Sequence, residues 1–138
     1  MFCVCRGKVS EGLDFSDELC RAVIFVGIPF PNTKDPILNE KKMYYDKLSK
    51  TKVKSITGDD WYTLNTMRSV NQGLGRVIRH INDYGMIFLL DERYEQQRLK
   101  KLLPGWSLTN MEIYDDFQNL TTKMGVFFRE MKIKFPQQ

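Results

Sequence analysis

The chain has 138 residues, of which 42% are hydrophobic and 28% charged, and its formal net charge is +4 at pH 7. This length and composition fit one globular domain with a core of its own. The longest apolar run, residues 22–30, is too short to cross a bilayer, which takes about 20 residues. Met1 is not followed by a basic flank, a long apolar region and a cleavage site, so we expect neither a secretory signal nor membrane contact.

The excess of positive charge lies in one segment. Residues 34–54 contain seven lysines against three acidic residues. Such a segment is typical of a solubilising surface, and contact with a phosphate backbone is the alternative. Three cysteines, Cys3, Cys5 and Cys20, form no pair of Cys-x-x-Cys clusters, and the single His80 does not complete a four-ligand zinc site. We therefore predict free thiols and no metal site.

Strands alternate with helices along the chain. Strands are predicted at residues 2–5, 21–27 and 86–90, with a further short one around Ile113. Helices are predicted from Pro36 to about Leu48, from residues 58–60 to Ile81, from Asp91 to about Leu103, and after Asp115 as N-cap. Buried strands between helices favour an α/β domain with a parallel sheet that helices cover on both faces. A doubly wound domain has five or six strands, so part of the sheet is expected to be missing.

The long helix that begins at residues 58–60, with Asp59 as N-cap, carries the most informative segment. Its apolar stripe is Trp61, Leu64, Met67, Val70, Leu74, Val77, Ile78 and Ile81. At about 100° per residue, Gln72, Arg76 and Arg79 fall within roughly 60° of one another on the opposite side. Two guanidinium groups and an amide on one face suit a triphosphate. A solvated charged face is the alternative.

Two glycines lie beside these arginines, and each costs about 1 kcal/mol relative to alanine in a helix. Gly73 and Gly75 therefore indicate that another group approaches the backbone closely. In the last predicted helix, apolar residues recur at helical spacing and are interpreted as core. They are Phe117, Leu120, Met124, Phe127, Phe128 and Met131.

The loop at residues 6–15 follows the first predicted strand, where ligands of open α/β sheets bind. Lys8 and Ser10 can contact phosphate, and Asp14 can accept a hydrogen bond from a ribose or hold an arginine. The loop lacks the Gly-x-x-x-x-Gly-Lys-Ser/Thr pattern of a primary phosphate-binding loop. A purely structural turn is the alternative.

Taken together, these segments resemble a known family. Residues 7–15, GKVSEGLDF, resemble motif V of the XPD-type iron–sulphur superfamily 2 DNA helicases, and residues 72–79, QGLGRVIR, resemble their motif VI. The resemblance covers nearly the whole chain in order, although the family usually has alanine or another small residue at Gly73. Trp61-Tyr62, residues 113–117 and residues 127–129 resemble one branch of this family, whose members act in telomere maintenance and DNA repair.

The resemblance implies that residues 1–138 form one domain, the C-terminal portion of a second RecA-like domain of P-loop NTPase type. The family's Walker A loop, its Asp-Glu-Ala-His-type motif and its four cluster-binding cysteines lie in the first motor domain and its insertions. We expect these elements, including a 4Fe-4S cluster, in a longer nuclear protein and not in this chain.

The resemblance also implies an activity, namely 5′-to-3′ movement on single-stranded DNA and duplex unwinding driven by ATP and magnesium. The first RecA-like domain would be the partner that binds most of this nucleotide. Arg79 would be the arginine finger, with Arg76 and Gln72 as further catalytic residues. The nucleotide-binding residues would be Asp14, Glu11, Gly12 and Gly75, and the DNA-backbone contacts would be Lys8 and Ser10. The chain alone is expected to be inactive.

Two other functions stay open from the residues themselves. The chain is alternatively a non-catalytic nucleic-acid-binding module that uses the lysine-rich segment. It is also interpretable as a protein-interaction domain, because a truncated sheet leaves an unpaired edge that invites self-association.

Overall fold

The chain was analysed as a computed structural model, which describes residues 2–5, 19–51, 55–78, 80 and 82–136. Two strands and five α-helices occupy these ranges, together with a 3₁₀ helix at Glu92–Glu95. In chain order they are β1 (Ala22–Val26), α1 (Pro36–Thr51), α2 (Gly58–Leu74), β2 (Met86–Leu90), α3 (Gln97–Lys100), α4 (Gly105–Leu108) and α5 (Phe117–Lys134). The predicted α/β class is confirmed.

The two strands pair in parallel, with Ala22 opposite Met86 and Val26 opposite Leu90. Phe25 is buried on the face that meets α2, where the core forms. On the other face three apolar side chains are exposed, namely Ile24 (59%), Val26 (84%) and Leu90 (52%). Met86 and Phe88 on the same face are half-buried, so within the described part of the chain the exposure is greatest at these three positions.

The core joins β1 and α2 to the short helices after β2. Its buried members are Phe25, Ile28, Met67, Val70, Leu74, Tyr94, Leu99 and Leu103. Five of the α2 positions predicted to be apolar contribute unequally, since Leu64 is 40% exposed whereas Val70 and Leu74 are fully buried. The helical stripe is thus narrower than the sequence pattern indicates.

Two predicted strands are wrong. Residues 2–4 are irregular, with Phe2 and Val4 exposed, and Ile113 also lies in an exposed irregular segment. A strand needs a neighbour for its backbone hydrogen bonds. Within the described ranges β1 pairs with β2 alone, so neither apolar segment has a ladder partner.

The N-cap of α2 differs from the predicted one. Thr57, not Asp59, caps α2, since its hydroxyl accepts from the Asp60 N–H (3.1 Å) and the Asp60 carboxylate accepts from the Thr57 N–H (3.2 Å). This reciprocal arrangement is a capping box. Asp59 instead forms an ion pair with Lys42 of α1 at 2.7 Å.

The segment after β2 is broken into short pieces where one helix was predicted. Asp91 caps the 3₁₀ helix, and α3 follows and ends before Pro104, as predicted. Pro104 is in addition the N-cap of α4. Asp116, not Asp115, caps α5 by accepting from two backbone N–H groups. Phe117 is 77% exposed, so its assignment to the core is wrong.

Two further predictions concern small features. Cys3, Cys5 and Cys20 are free thiols, as predicted. None of the helices in the described ranges is long and apolar enough to cross a membrane.

Candidate nucleotide and nucleic-acid site

The predicted site residues divide into two groups. Gln72, Gly75 and Arg76 belong to the described part of the chain. The remaining ones lie outside the described residues, namely Lys8, Ser10, Glu11, Gly12, Asp14 and Arg79.

The end of α2 determines how Gln72 and Arg76 are presented. The helix ends at Leu74, and the Arg76 N–H donates to the Gly73 carbonyl at 3.1 Å. Such a bond to the third residue back tightens the last turn of a helix. Gln72 is exposed on the helix and Arg76 is half-buried on the turn beyond it. The prediction of one continuous helical face through Ile81 is therefore wrong.

The two glycines explain this ending. The Phe25 ring lies against the α-carbon of Gly73, in the space that a side-chain methyl would take. The predicted close approach to Gly73 is thus confirmed, but the approaching group is a core ring. Gly75 is the C-cap, and its N–H donates to the Asn71 carbonyl at 3.1 Å. Its low helix propensity favours ending the helix there.

The turn that carries Arg76 is anchored by its neighbour. Val77 is fully buried, and its Cγ1 atom lies against the α-carbon of Gly85. Gly85 comes directly before β2, and a methyl group there would lie 3.1 Å from the carbonyl of Arg21, which comes directly before β1. Arg76 is therefore held beside the amino ends of both strands.

A buried ion pair fixes the same end of the sheet. The Arg21 guanidinium donates to the Asp83 carboxylate at 2.7 Å and to the Tyr84 carbonyl at 3.0 Å. It also lies 4.0 Å from the centroid of the Tyr84 ring. The Asp83 side chain is fully buried and accepts from the Tyr84 N–H at 2.9 Å. Asp83 and Tyr84, which lie just before β2, are thus held in place by these contacts.

Sequence reasoning missed this ion pair. Asp83 lies between the helix predicted to end at Ile81 and the strand predicted at residues 86–90, and the sequence pattern assigned its carboxylate no partner. Its immediate neighbours are Asn82 and Tyr84, with Gly85 next, so the local sequence gives no signal that its carboxylate is buried and needs a partner.

A second set of polar contacts lies at the carboxyl ends of the strands. The rings of Phe30 and Tyr62 stack with centroids 5.4 Å apart and planes 11° apart. Lys42 lies 5.2 Å from the Tyr62 centroid, and the Arg93 guanidinium lies 5.7 Å from the Phe30 centroid. Each of the two stacked rings therefore has a cation within cation–π distance.

Carboxylates hold both cations of this stack. Asp91 accepts from two guanidinium nitrogens of Arg93 at 2.8 and 2.6 Å, and this contact lowers the pKa of Asp91 to about 2. The hydrogen bond with Asp59 raises the pKa of Lys42. A shallow groove of about 420 Å³ adjoins the stack, lined by Phe30, Asp59, Tyr62, Thr63 and Arg98. Because its cations are already paired, the stack is suited to join α1, α2 and the sheet edge rather than to attract an anion.

Comparison with known proteins agrees with this architecture. A family model described as the helicase C-terminal domain matches residues 1–110. The chain therefore belongs to the helicase C-terminal domain family, of the XPD type. Its α/β fold, with a parallel pair of strands and flanking helices, is that of a RecA-like domain.

The similar proteins also agree with the branch indicated by Trp61-Tyr62. The chain is 45% identical over 136 residues to the regulator of telomere elongation helicase 1 homolog of Aedes aegypti. It is 43% identical to the homolog of Oryza sativa subsp. japonica and 39% identical to the Bos taurus protein. These alignments cover 97%, 94% and 97% of this chain, but only 14%, 13% and 11% of the relatives. The chain thus corresponds to a small part of each relative.

Proposed function

We propose that this chain is the C-terminal part of the second motor domain of an ATP-dependent DNA helicase that acts in telomere maintenance and DNA repair in the nucleus. Family membership supports the helicase class, and the relatives named as telomere elongation helicases support the role. The observation that carries the proposal within the structure is the anchored turn. Val77 and Gly85 hold Arg76 in a fixed place directly after the helix that presents Gln72.

The donor set of this segment fits the phosphate end of a nucleotide. Arginine and glutamine side chains offer N–H groups, which bind phosphate oxygens and not a metal cation. We therefore propose that Arg76 and Arg79 contact the triphosphate of ATP, with Gln72 orienting the nucleotide or the attacking water. Magnesium would be held by the first motor domain. Glu11, Gly12, Asp14 and Gly75 would complete the nucleotide contacts from this side.

An arginine supplied across a domain cleft stabilises the charge that develops on the transferred phosphoryl group, and is worth about 10³–10⁵ in rate. In this proposal Arg79 has that role, whereas Lys8 and Ser10 hold the DNA backbone and couple hydrolysis to 5′-to-3′ stepping. Contacts with the backbone make DNA binding depend on salt rather than on sequence. A 4Fe-4S cluster would belong to other parts of the longer protein.

The proposal is tested by adding the rest of the motor region to the purified chain as a separate polypeptide. The purified chain is expected to hydrolyse no ATP. A fragment of the same protein that contains the first motor domain and the beginning of the second, added at saturating concentration, is expected to restore magnesium-dependent hydrolysis. The control is the same mixture with Arg79→Ala, which should stay inactive. Metal-dependent hydrolysis by the pure chain, or equal activity of the Arg79→Ala mixture, would contradict the proposal.

A further inference from the structure

The outer face of α1 carries positive charge that the fold leaves unpaired. Both aspartates of this region serve helix ends, since Asp35 accepts from the Ile37 N–H (2.9 Å) and Asp46 accepts from the Gly58 N–H (2.7 Å). Four lysines are exposed and form no ion pair with any described residue: Lys34, Lys41, Lys47 and Lys50. Three acidic residues, Asp35, Glu40 and Asp46, are exposed beside these four lysines, which leaves a net charge of +1 (4 − 3). The solvent-facing side of α1 therefore has a net positive charge.

An aromatic ring lies in the middle of these charges. Tyr44 is 61% exposed and lies three residues from Lys41 and three from Lys47, so the three side chains are neighbours along one face of the helix. The Tyr44 ring meets Tyr45 edge-on at 5.6 Å, and Tyr45 in turn stacks on Trp61 at 5.5 Å. Tyr45 thus links the exposed ring of Tyr44 to Trp61 of α2.

We propose that the outer face of α1, defined by Lys41, Tyr44 and Lys47, binds single-stranded nucleic acid. Tyr44 stacks on a base, and the two lysines contact phosphates on either side of that base. This combination of a basic track with an exposed ring is how proteins bind single strands without sequence preference. The choice of nucleic acid as ligand rests on the proposed function, but the face is separate from the Arg76 segment.

Charge and chemistry favour this ligand over two alternatives. An acidic protein segment would pair with the lysines but would leave Tyr44 without a planar partner. The groove beside Phe30 and Tyr62 has aromatic rings too, but the cations Lys42 and Arg93 are each held by a carboxylate. On the outer face of α1 the exposed ring of Tyr44 is flanked by two lysines, whereas the groove has one cation, Arg98, that is not held in an ion pair with any described residue.

The test measures binding of a fluorescent oligothymidylate to the 138-residue chain by anisotropy between 50 and 200 mM salt. Lys41→Gln with Lys47→Gln should lower the slope of log K against log salt by about 1.4, because each lost phosphate contact removes about 0.7. The matched control is Lys101→Gln with Lys132→Gln, which removes the same charge from exposed positions elsewhere. This control should keep the slope of the parent chain within about 0.3.

Tyr44 separates base stacking from simple charge attraction. Tyr44→Ala should weaken oligothymidylate binding about tenfold, and Tyr44→Phe should restore it, since stacking needs only the ring. Inorganic polyphosphate has charge but no bases, so its binding should fall in the double lysine variant and not in Tyr44→Ala. Circular dichroism of each variant checks that it is folded.

Several results would overturn the inference. These are absence of oligothymidylate binding by the parent chain, unchanged binding by Tyr44→Ala, an equal loss in the control pair, or equal weakening of polyphosphate by Tyr44→Ala. None of them involves ATP, so they leave the proposed contacts of Arg76 and Arg79 with the nucleotide standing. Failure of the hydrolysis test with this binding intact would overturn the proposed function alone.

Discussion

The ring of Phe25 in β1 occupies the space beside the α-carbon of Gly73 in α2, where any other residue would place its Cβ atom. A side chain of the sheet therefore contacts the backbone of the helix directly at this point. The helix ends one residue later, at Leu74, and the turn that carries Arg76 follows.

Gly73→Ala should consequently destabilise the chain. The added methyl group overpacks the core, which costs about 1–3 kcal/mol, and this outweighs the gain of about 1 kcal/mol in helix propensity. The control is Gly125→Ala in α5, where a methyl group meets nothing within 4 Å. That change should stabilise by up to about 1 kcal/mol. Urea unfolding measures both variants.

Phe25→Leu provides an independent check of the same contact. The shorter side chain leaves room for the methyl group, so the double variant should be more stable than the sum of the two single changes predicts, by about 0.5–3 kcal/mol. Additive effects, or a stabilising Gly73→Ala, would show that ring and helix do not limit one another.

The pair of Arg21 and Asp83 should contribute strongly to stability. Asp83→Asn leaves the guanidinium without its buried counter-charge, and breaking such a pair costs about 3–5 kcal/mol. Lys123 and Glu112 form the matched exposed pair at 3.4 Å, and Lys123→Gln should cost less than about 1 kcal/mol. Similar losses in the two variants would contradict the burial of Asp83.

Tyr94 should make the chain sensitive to alkali. Burial raises the pKa of its hydroxyl from 10.0 to about 12, because ionisation inside the core is unfavourable. The resulting stability is fully present below pH 10 and is lost as the pH rises towards 12. Tyr94→Phe should therefore lose less stability between pH 10 and 12 than the parent chain. Tyr44→Phe, at an exposed tyrosine, should follow the parent, and identical curves for all three proteins would refute the assignment.

The exposed apolar side chains on one face of the sheet should cause self-association. Ile24, Val26 and Leu90 expose apolar surface side by side on paired strands, and such patches favour association. Val26→Lys should shift the chain towards the monomer in light scattering at equal concentration. Ile133→Lys alters an 82% exposed residue of α5 and should have no such effect. A parent chain that is monomeric at all concentrations would contradict this prediction.

Sequence reasoning predicted those parts of the fold that depend on local pattern. The apolar runs at β1 and β2 and the start of α1 at Pro36 were confirmed, because strand hydrophobicity and proline at a helix start are local signals. The motif pattern of residues 72–79 likewise indicated the family that the comparisons show.

The errors concern features that depend on distant residues. The group that approaches Gly73 near the end of α2 is Phe25, which lies some fifty residues earlier in the chain. Thr57 is the N-cap of α2 through its capping box with Asp60, whereas Asp59 pairs with Lys42 of the neighbouring helix. The contact between Arg21 and Asp83 likewise joins residues far apart in sequence, and neither position has a periodic pattern that would reveal it.

The central claim is that this chain supplies arginines to a nucleotide held by another domain. The most direct measurement is the turnover number of ATP hydrolysis, together with ATP affinity, in the full-length helicase that contains this chain. Arg79→Ala should lower turnover about 10³-fold or more while ATP affinity changes little, and Arg79→Lys should recover only a small part of the loss. Near-normal turnover in Arg79→Ala would contradict the claim.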